Sequence, residues 1–287
     1  MNLQKIVVIG AGTMGSGIAQ WFTQQMCMVE LVDNSPEQLA KALKVIHTSW
    51  DKLVEKEKMT SCQVNQMKKL LEIKSLEDVS PKADLVIEAI VENLEVKKDL
   101  FQRLDRHFSP HTIIASNTSS FPITSMATAV DLERKKRFVG LHFFNPATIM
   151  QLVEVIRGDD TDSELCQQLY QWFEAKGKKP AQCKDSPGFI VNRVARNFYG
   201  EPLRIVGTED ESRMKEVDRI LKEVGGFKMG PFELMDLIGI DVNYSVTCSV
   251  WEAYQKESRF APHPLQKKMV EEKRFGRKTK RGFYNYD

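Results

Sequence analysis

The chain has 287 residues, of which 42% are hydrophobic and 28% charged, and its formal net charge of +2 argues against nucleic acid as a main partner. No apolar stretch approaches the roughly twenty residues of a membrane span, and because the first strand begins almost at Met1 we expect no signal or transit peptide. The five scattered cysteines form no metal-binding spacing and fit a reducing compartment, so we expect a cytoplasmic protein without a bound metal.

A nucleotide-binding pattern opens the chain. A β-branched run at 5–9 predicts a strand, a helical pattern begins at Ile18, and residues 29–33 predict a second strand that ends in an acid. In a dinucleotide fold, three spaced glycines permit a tight turn, let the backbone approach a pyrophosphate, and let the helix pack on the sheet. The residues at this position are Gly10, Ala11, Gly12, Thr13, Met14 and Gly15.

Asp33 is the acid at the end of the second strand, near the spacing expected for a residue that accepts hydrogen bonds from ribose hydroxyls. A carboxylate there repels a 2′-phosphate, and its neighbours are Val32 and Asn34 rather than an arginine, so the pattern favours NAD over NADP. FAD shares the fingerprint and remains an alternative. The other alternative is a glycine loop that binds no ligand. The three glycines would then raise the entropic cost of folding without serving a function.

Strands and helices alternate through the next hundred residues. Two helices in succession form a long helical insertion, and the alternation around it predicts a parallel sheet with helices on both faces. The predicted helices are 35–57, 62–70 and 94–108, and the predicted strands are 85–90 and 112–117.

His142 and Glu154 lie in two short apolar runs separated by a turn at 145–148. In an antiparallel pair, facing residues have position numbers with a constant sum. A pairing centred on Thr148 therefore sets His142 opposite Glu154, close enough for their side chains to meet. An imidazole held by a carboxylate can act as a general base. The alternative is a purely structural histidine.

The pattern changes near residue 185. A helix at 162–176 and a strand at 179–183 precede a turn-forming stretch, after which the periodicity is helical at 187–206, 210–224, 231–255 and 263–273. The sequence thus predicts an α/β domain at 1–184, with a Rossmann-type doubly wound sheet carrying a long helical insertion. An all-α C-terminal domain follows at 185–287.

Several segments together resemble the L-3-hydroxyacyl-CoA dehydrogenase family over essentially the whole chain. They include the glycine loop and the stretches at 88–93, 115–120, 140–146, 185–193, 276–279 and 281–284. The resemblance implies a two-domain enzyme that reversibly oxidises a 3-hydroxyacyl-CoA to a 3-ketoacyl-CoA with NAD.

The resemblance also implies roles for individual residues. His142 matches the catalytic base, Glu154 its carboxylate partner, and Ser119 and Asn192 groups that contact the substrate oxygen. The implied NAD contacts are Gly10, Ala11, Gly12, Thr13, Met14, Gly15, Asp33, Glu92, Lys97, Asn145 and Lys278. Ser49, Lys56 and Ser119 match positions that contact the acyl-CoA substrate.

The C-terminal segment looks similar to the bacterial branch that handles 3-hydroxybutyryl-CoA or 3-hydroxyadipyl-CoA. The family is usually dimeric, so we expect a homodimer. Five apolar residues fit either a dimer interface or the core of the unit: Phe232, Leu234, Met235, Leu237 and Ile238. Two other functions stay open: an NAD-dependent dehydrogenase of a free β-hydroxy (sugar) acid, and a non-catalytic NAD-binding or structural relative.

Overall fold

The computed structural model describes residues 1–287 and divides into two units, Met1–Ser186 and Pro187–Asp287. The expected division at 184/185 lies close to this one. None of the helices combines the length and the apolar character that a bilayer crossing requires.

The first unit is built on one eight-stranded sheet with the order β3-β2-β1-β4-β5-β6-β7-β8. All neighbouring strands are parallel except β6 and β7, which are antiparallel. The strands are β1 (Lys5–Ile9), β2 (Met28–Val32), β3 (Leu71–Lys74), β4 (Leu85–Glu88), β5 (Ile113–Ser116), β6 (Phe138–Phe143), β7 (Leu152–Arg157) and β8 (Lys179–Lys184).

Seven helices accompany this sheet. They are α1 (Thr13–Gln24), α2 (Pro36–Glu55), α3 (Ser61–Leu70), α4 (Leu94–His107), α5 (Ile123–Ala127), α6 (Leu132–Lys135) and α7 (Ser163–Ala175). The predicted helical insertion is α2 with α3. Ser35 caps α2 by accepting a hydrogen bond from the Gln38 amide, and Pro36 occupies the first helical turn. The predicted Rossmann-type fold is confirmed.

One strand, β3, is not predicted from the sequence. β3 lies at the edge of the sheet, and in it only Leu71 is buried, while Glu72 and Ile73 are exposed. A four-residue edge strand with a single buried side chain has no apolar run to reveal it.

Aromatic side chains fill the space between the sheet and the helices α1 and α7. Trp21 and Phe22 of α1 pack on Trp172 and Phe173 of α7 with ring centroids 5.6 to 6.2 Å apart, and Phe143 of β6 joins them. Burial of each such side chain contributes about 1.5–3 kcal/mol. The cluster fixes the helix after the glycine loop against the strand that carries His142.

The second unit is helical, as predicted. Its helices are α8 (Val191–Val206), α9 (Glu211–Glu223), α10 (Pro231–Ile238), α11 (Ile240–Ala253) and α12 (Pro264–Glu271). The prediction of one continuous helix at 231–255 is wrong because Gly239 adopts a φ of +106° and breaks it.

The apolar residues considered for a dimer interface separate into two groups. Phe232 and Met235 are fully buried and belong to the core of this unit, together with Tyr199 and Leu203, and the half-buried Leu234 packs against that core. Leu237 and Ile238 are exposed.

Candidate active site

The glycine loop links β1 to α1. Gly10 has a φ of +103°, and a side chain there would collide with the Ala89 carbonyl. A Cβ at Gly15 would lie 1.7 Å from the Gly10 carbonyl oxygen, so only glycine lets the helix start this close to the strand. A Cβ at Gly12 would meet nothing within 4 Å. The open side of the loop is therefore at Gly12, where a pyrophosphate would approach.

The amino terminus of α1 suits an anion. Its first turn follows Gly12, which offers no side chain to cap the helix. The backbone N–H groups of such a turn carry a partial positive charge and bind phosphate. The residues of this loop therefore fit a dinucleotide.

Asp33 follows β2 and supports the same loop. Its Oδ2 accepts a hydrogen bond of 2.7 Å from the Ala11 amide, and its Oδ1 accepts one of 2.9 Å from the Ser35 amide. The carboxylate is half-buried and remains able to accept further bonds, because ionised oxygens have about four lone-pair sites. The structure thus places the ribose-binding candidate against the phosphate-binding candidate.

The His142–Glu154 pair forms as the register predicts. The two residues are directly opposite in the antiparallel β6–β7 pair, and His142 Nδ1 lies 2.6 Å from Glu154 Oε2. His142 is 6% exposed and Glu154 is fully buried. The Phe144 ring packs on the imidazole with centroids 4.4 Å apart. A buried carboxylate needs a charged or hydrogen-bonded partner, and here the imidazole provides it.

The pair lies at the carboxyl ends of the parallel strands, the end of the sheet at which the glycine loop also lies. β1, β4, β5 and β6 are parallel, so their carboxyl ends meet at one edge, and His142 is the penultimate residue of β6. Asn117, directly after β5, accepts a hydrogen bond of 2.8 Å from the Phe143 amide and steadies this end of β6. Ligands of open α/β sheets bind outside the carboxyl ends of the strands.

A buried ion pair lies at the same carboxyl end of the sheet. Lys97, 1% exposed, bonds Glu88 Oε1 at 2.5 Å and Glu92 Oε2 at 3.2 Å. Glu88 is itself fully buried at the end of β4, and its Oε2 accepts a hydrogen bond of 2.6 Å from Ser116. Lys97, expected to contact NAD, therefore has its ammonium directed into this network. Its contact with NAD stays a prediction.

Glu92 links this network to Ser119. Its Oε1 accepts hydrogen bonds from the Thr118 hydroxyl at 2.6 Å, the Ser120 hydroxyl at 2.8 Å and the Ser119 amide at 3.2 Å. Burial would raise the pKa of Glu92, but the charge of Lys97 and the two hydroxyls outweigh it and hold the pKa below its ordinary value. Glu92 therefore stays ionised and fixes the segment that carries Ser119.

The remaining site candidates of the first unit lie on α2 and after β6. Ser49 is half-buried and accepts a hydrogen bond of 2.9 Å from Gln20 of α1, while Lys56 is exposed at the end of α2. Asn145 is exposed and precedes a cis peptide bond to Pro146. Their contacts with CoA or NAD stay predictions.

Two candidates belong to the second unit. Asn192 is half-buried at the start of α8, and its carbonyl accepts a hydrogen bond of 3.0 Å from Arg196. Lys278 pairs with Asp241 at 2.6 Å. Their assignment to substrate and cofactor stays a prediction.

Sequence reasoning missed two residues of the site, Glu88 and Asn117. Each stands at the carboxyl end of a buried strand, where a polar side chain after an apolar run is the available signal. Glu88 also has a lysine nine residues further along the chain, the partner that a buried acid needs.

A glycine loop and a buried histidine–carboxylate pair at the carboxyl end of one sheet are an arrangement found in dinucleotide-linked oxidoreductases, in which the protein handles the proton and the nucleotide the hydride. The chain belongs to one such family. Residues 5–186 match the family model "3-hydroxyacyl-CoA dehydrogenase, NAD binding domain", and residues 188–286 match "3-hydroxyacyl-CoA dehydrogenase, C-terminal domain". The resemblance inferred from the sequence is confirmed, with NAD as the cofactor of the first domain.

Individual relatives cover the whole chain. A 3-hydroxyadipyl-CoA dehydrogenase of Escherichia coli is 43% identical over 100% of this chain, which spans only 60% of that relative's length. The mitochondrial hydroxyacyl-coenzyme A dehydrogenase of Homo sapiens is 41% identical over 99% of this chain and 91% of its own length. The crystal structure of a (S)-3-hydroxybutyryl-CoA dehydrogenase from Ralstonia eutropha superposes with a TM-score of 0.92 at 33% identity, covering 100% of both chains.

Replacing Asp33 with alanine is expected to weaken NADH binding by roughly tenfold or more, since a hydrogen bond to a charged group is worth about 1.5–3 kcal/mol. The variant should also lose preference for NADH over NADPH, because the repulsion of a 2′-phosphate disappears. Fluorescence titration with both nucleotides measures the effect, and Asn34→Ala, its exposed neighbour, is the control. Unchanged preference would remove Asp33 from nucleotide selection.

Replacing Lys97 with methionine is expected to lower the free energy of unfolding by about 3–5 kcal/mol, because Glu88 is left as a buried, uncompensated charge. Urea unfolding measures the loss. Lys98→Met is the matched control, since Lys98 is more exposed and its 3.5 Å pair with Glu95 lies at the surface. A Lys97→Met variant as stable as the control would contradict the assignment of Lys97 as the partner that the buried Glu88 needs.

Proposed function

We propose that the protein catalyses the reversible NAD-dependent oxidation of a (S)-3-hydroxyacyl-CoA to a 3-ketoacyl-CoA. The observation that carries the proposal is the buried 2.6 Å contact between His142 Nδ1 and Glu154 at the edge of the sheet that holds the glycine loop. Family membership and the names of the relatives support the reaction class.

His142 acts as the base in the forward direction. With Nδ1 facing Glu154, the proton of the 3-hydroxyl is taken at Nε2, while the C3–H bond breaks and the C=O bond forms. Bound NAD would accept the hydride from C3. In the reverse direction the imidazolium returns the proton to the ketone oxygen.

Glu154 stabilises the imidazolium and holds its orientation. Because Glu154 is fully buried, its negative charge is little screened and acts strongly on the neighbouring ring. Ser119 and Asn192 are proposed to hydrogen-bond the oxygen whose charge changes. Ser49 and Lys56 are proposed to contact CoA.

The substrate is proposed to be short-chain, as 3-hydroxybutyryl-CoA, or to carry a distal carboxylate, as 3-hydroxyadipyl-CoA. The names of relatives support both. The protein is also proposed to be a cytoplasmic homodimer. The free state of all five cysteines fits a reducing compartment, and the exposed Leu237 and Ile238 offer apolar surface for a partner copy.

The test compares acetoacetyl-CoA with free acetoacetate as oxidants of NADH. Because binding energy from the remote CoA group is used at the reacting carbon, the thioester should give a much higher kcat/KM. A preference for free acetoacetate would favour a dehydrogenase of free β-hydroxy acids. Absence of NADH oxidation with 3-keto thioesters of butyryl, hexanoyl, decanoyl and adipyl chains would favour a non-catalytic nucleotide-binding protein.

A further inference from the structure

A buried lysine joins the turn between β6 and β7 to the helix of the glycine loop. Lys178 directly precedes β8 and is 6% exposed. Its Nζ donates hydrogen bonds of 2.6 Å to the carbonyl oxygens of Ala147 and Met150, both in the turn. A buried ammonium without a carboxylate partner is costly, so its retention requires a strong set of other contacts.

Two aromatic rings complete the surroundings of this ammonium. Nζ lies 4.7 Å from the ring centroid of Trp21, which belongs to α1, and 5.7 Å from that of Phe143, the residue after His142. Cation–π contacts of this kind are stronger when the cation is desolvated, as this ammonium is. A single charge therefore touches the glycine-loop helix, the end of β6 and the turn.

The turn also lies directly on α1. A Cβ at Gly17 would stand 3.4 Å from the Cβ of Ala147. Within the turn, the amides of Ile149 and Met150 both donate to the Pro146 carbonyl. The segment that leads from His142 to Glu154 is thus ordered by its own hydrogen bonds and is attached to α1 at the point where Lys178 binds it.

We propose that Lys178 is a positioning residue: its ammonium fixes the β6–β7 turn against the glycine-loop helix and so sets the place of His142 relative to the nucleotide site. This inference rests on the proposed function for its effect on turnover. The contacts themselves do not depend on that function. A small displacement of a catalytic group is enough to reduce a rate strongly.

The charge on Lys178 is sensitive to pH. Burial lowers its pKa to about 8, and no neighbouring charge offsets this. The glycine-loop helix contributes no charged residue. The other elements packed around Lys178 are β6, β7, α7 and β8. With the residue that follows α7, they carry these titratable groups: His142, Glu154, Arg157, Glu164, Cys166, Tyr170, Glu174, Lys176, Lys179, Cys183 and Lys184. Above about pH 8 the amine becomes neutral, and its bonds to the two carbonyls lose their charge assistance.

The first measurement is hydrogen exchange of the turn, residues 144–151, in the full chain without substrate. Lys178→Met should speed exchange there by roughly tenfold or more. Wild-type protein should show the same acceleration, beyond intrinsic chemistry, between about pH 7 and about pH 9. Lys179→Met, an exposed neighbour, should show the wild-type pattern.

The second measurement is the pH profile of 3-hydroxybutyryl-CoA oxidation. Lys178→Met should lower kcat by roughly 10- to 100-fold with little change in KM. Wild type is expected to lose turnover above about pH 8, and the variant should lack that fall. A merely structural lysine would not change the shape of this profile.

Wild-type kcat in Lys178→Met, or turn exchange equal to that of wild type, overturns the proposal. If Lys178→Met does not fold, hydrogen exchange of the turn in wild-type protein decides. Exchange that does not speed up between about pH 7 and about pH 9, beyond intrinsic chemistry, overturns the proposal. If wild type oxidises no acyl-CoA, the proposed function fails while the exchange result still tests the contact between Lys178 and the turn.

Discussion

Replacing His142 with glutamine is expected to lower kcat for acetoacetyl-CoA reduction by roughly 10²–10⁴-fold, the usual contribution of a positioned acid or base. A glutamine amide can still donate to Glu154, so the buried carboxylate keeps a hydrogen bond and the fold is retained. What disappears is a group that can release or accept a proton near neutral pH. Steady-state NADH oxidation measures the loss.

His111→Gln is the matched control, because His111 is exposed and lies away from the carboxyl edge of the sheet. It should keep wild-type turnover. The affinity of His142→Gln for NADH should also stay near wild type, since the glycine loop is untouched. Wild-type turnover in the His142 variant would contradict the assigned role.

Replacing Glu154 with glutamine is expected to lower kcat by roughly 10- to 100-fold, because a charge-assisted hydrogen bond of about 1.5–3 kcal/mol becomes an ordinary one. The carboxamide has the same shape, and its oxygen can still accept from Nδ1. The variant therefore separates the charge of Glu154 from its packing. Turnover over a range of pH, together with thermal unfolding, measures both effects.

Glu30→Gln is the control for loss of a buried strand carboxylate. Glu30 lies in β2, is 1% exposed and pairs with Lys74 at 2.6 Å, so it resembles Glu154 in burial and in having a basic partner. Its replacement should affect stability and leave turnover unchanged. A Glu154→Gln variant with wild-type kcat across pH would remove Glu154 from the mechanism.

The geometry of the His142–Glu154 pair was predictable because a sheet leaves little freedom. Once two apolar runs flank a short turn, a one-residue shift in register would turn every side chain to the other face. In a hairpin the length of the connecting loop fixes the register, and the register observed here places these two residues opposite each other. The glycine loop was predictable for a similar reason, since few backbones other than a close strand-to-helix turn require glycine at both Gly10 and Gly15.

Other features depend on tertiary contacts that leave no local pattern. The pairing of Lys97 with Glu88 joins a helix to a strand, and the role of Lys178 depends on three elements that meet only in the folded chain. In the sequence, Lys178 stands among other lysines and resembles a surface residue. Gly239 was visible, but glycine inside a helical pattern is often tolerated, so the break between α10 and α11 was not predicted.

The most direct test of the central claim is a crystal structure of the protein with NAD and acetoacetyl-CoA bound. The proton relay proposed here predicts that His142 Nε2 lies within about 3 Å of the C3 oxygen, with Nδ1 still bonded to Glu154. A complex in which another acid contacts that oxygen, or in which His142 and Glu154 separate, would contradict it.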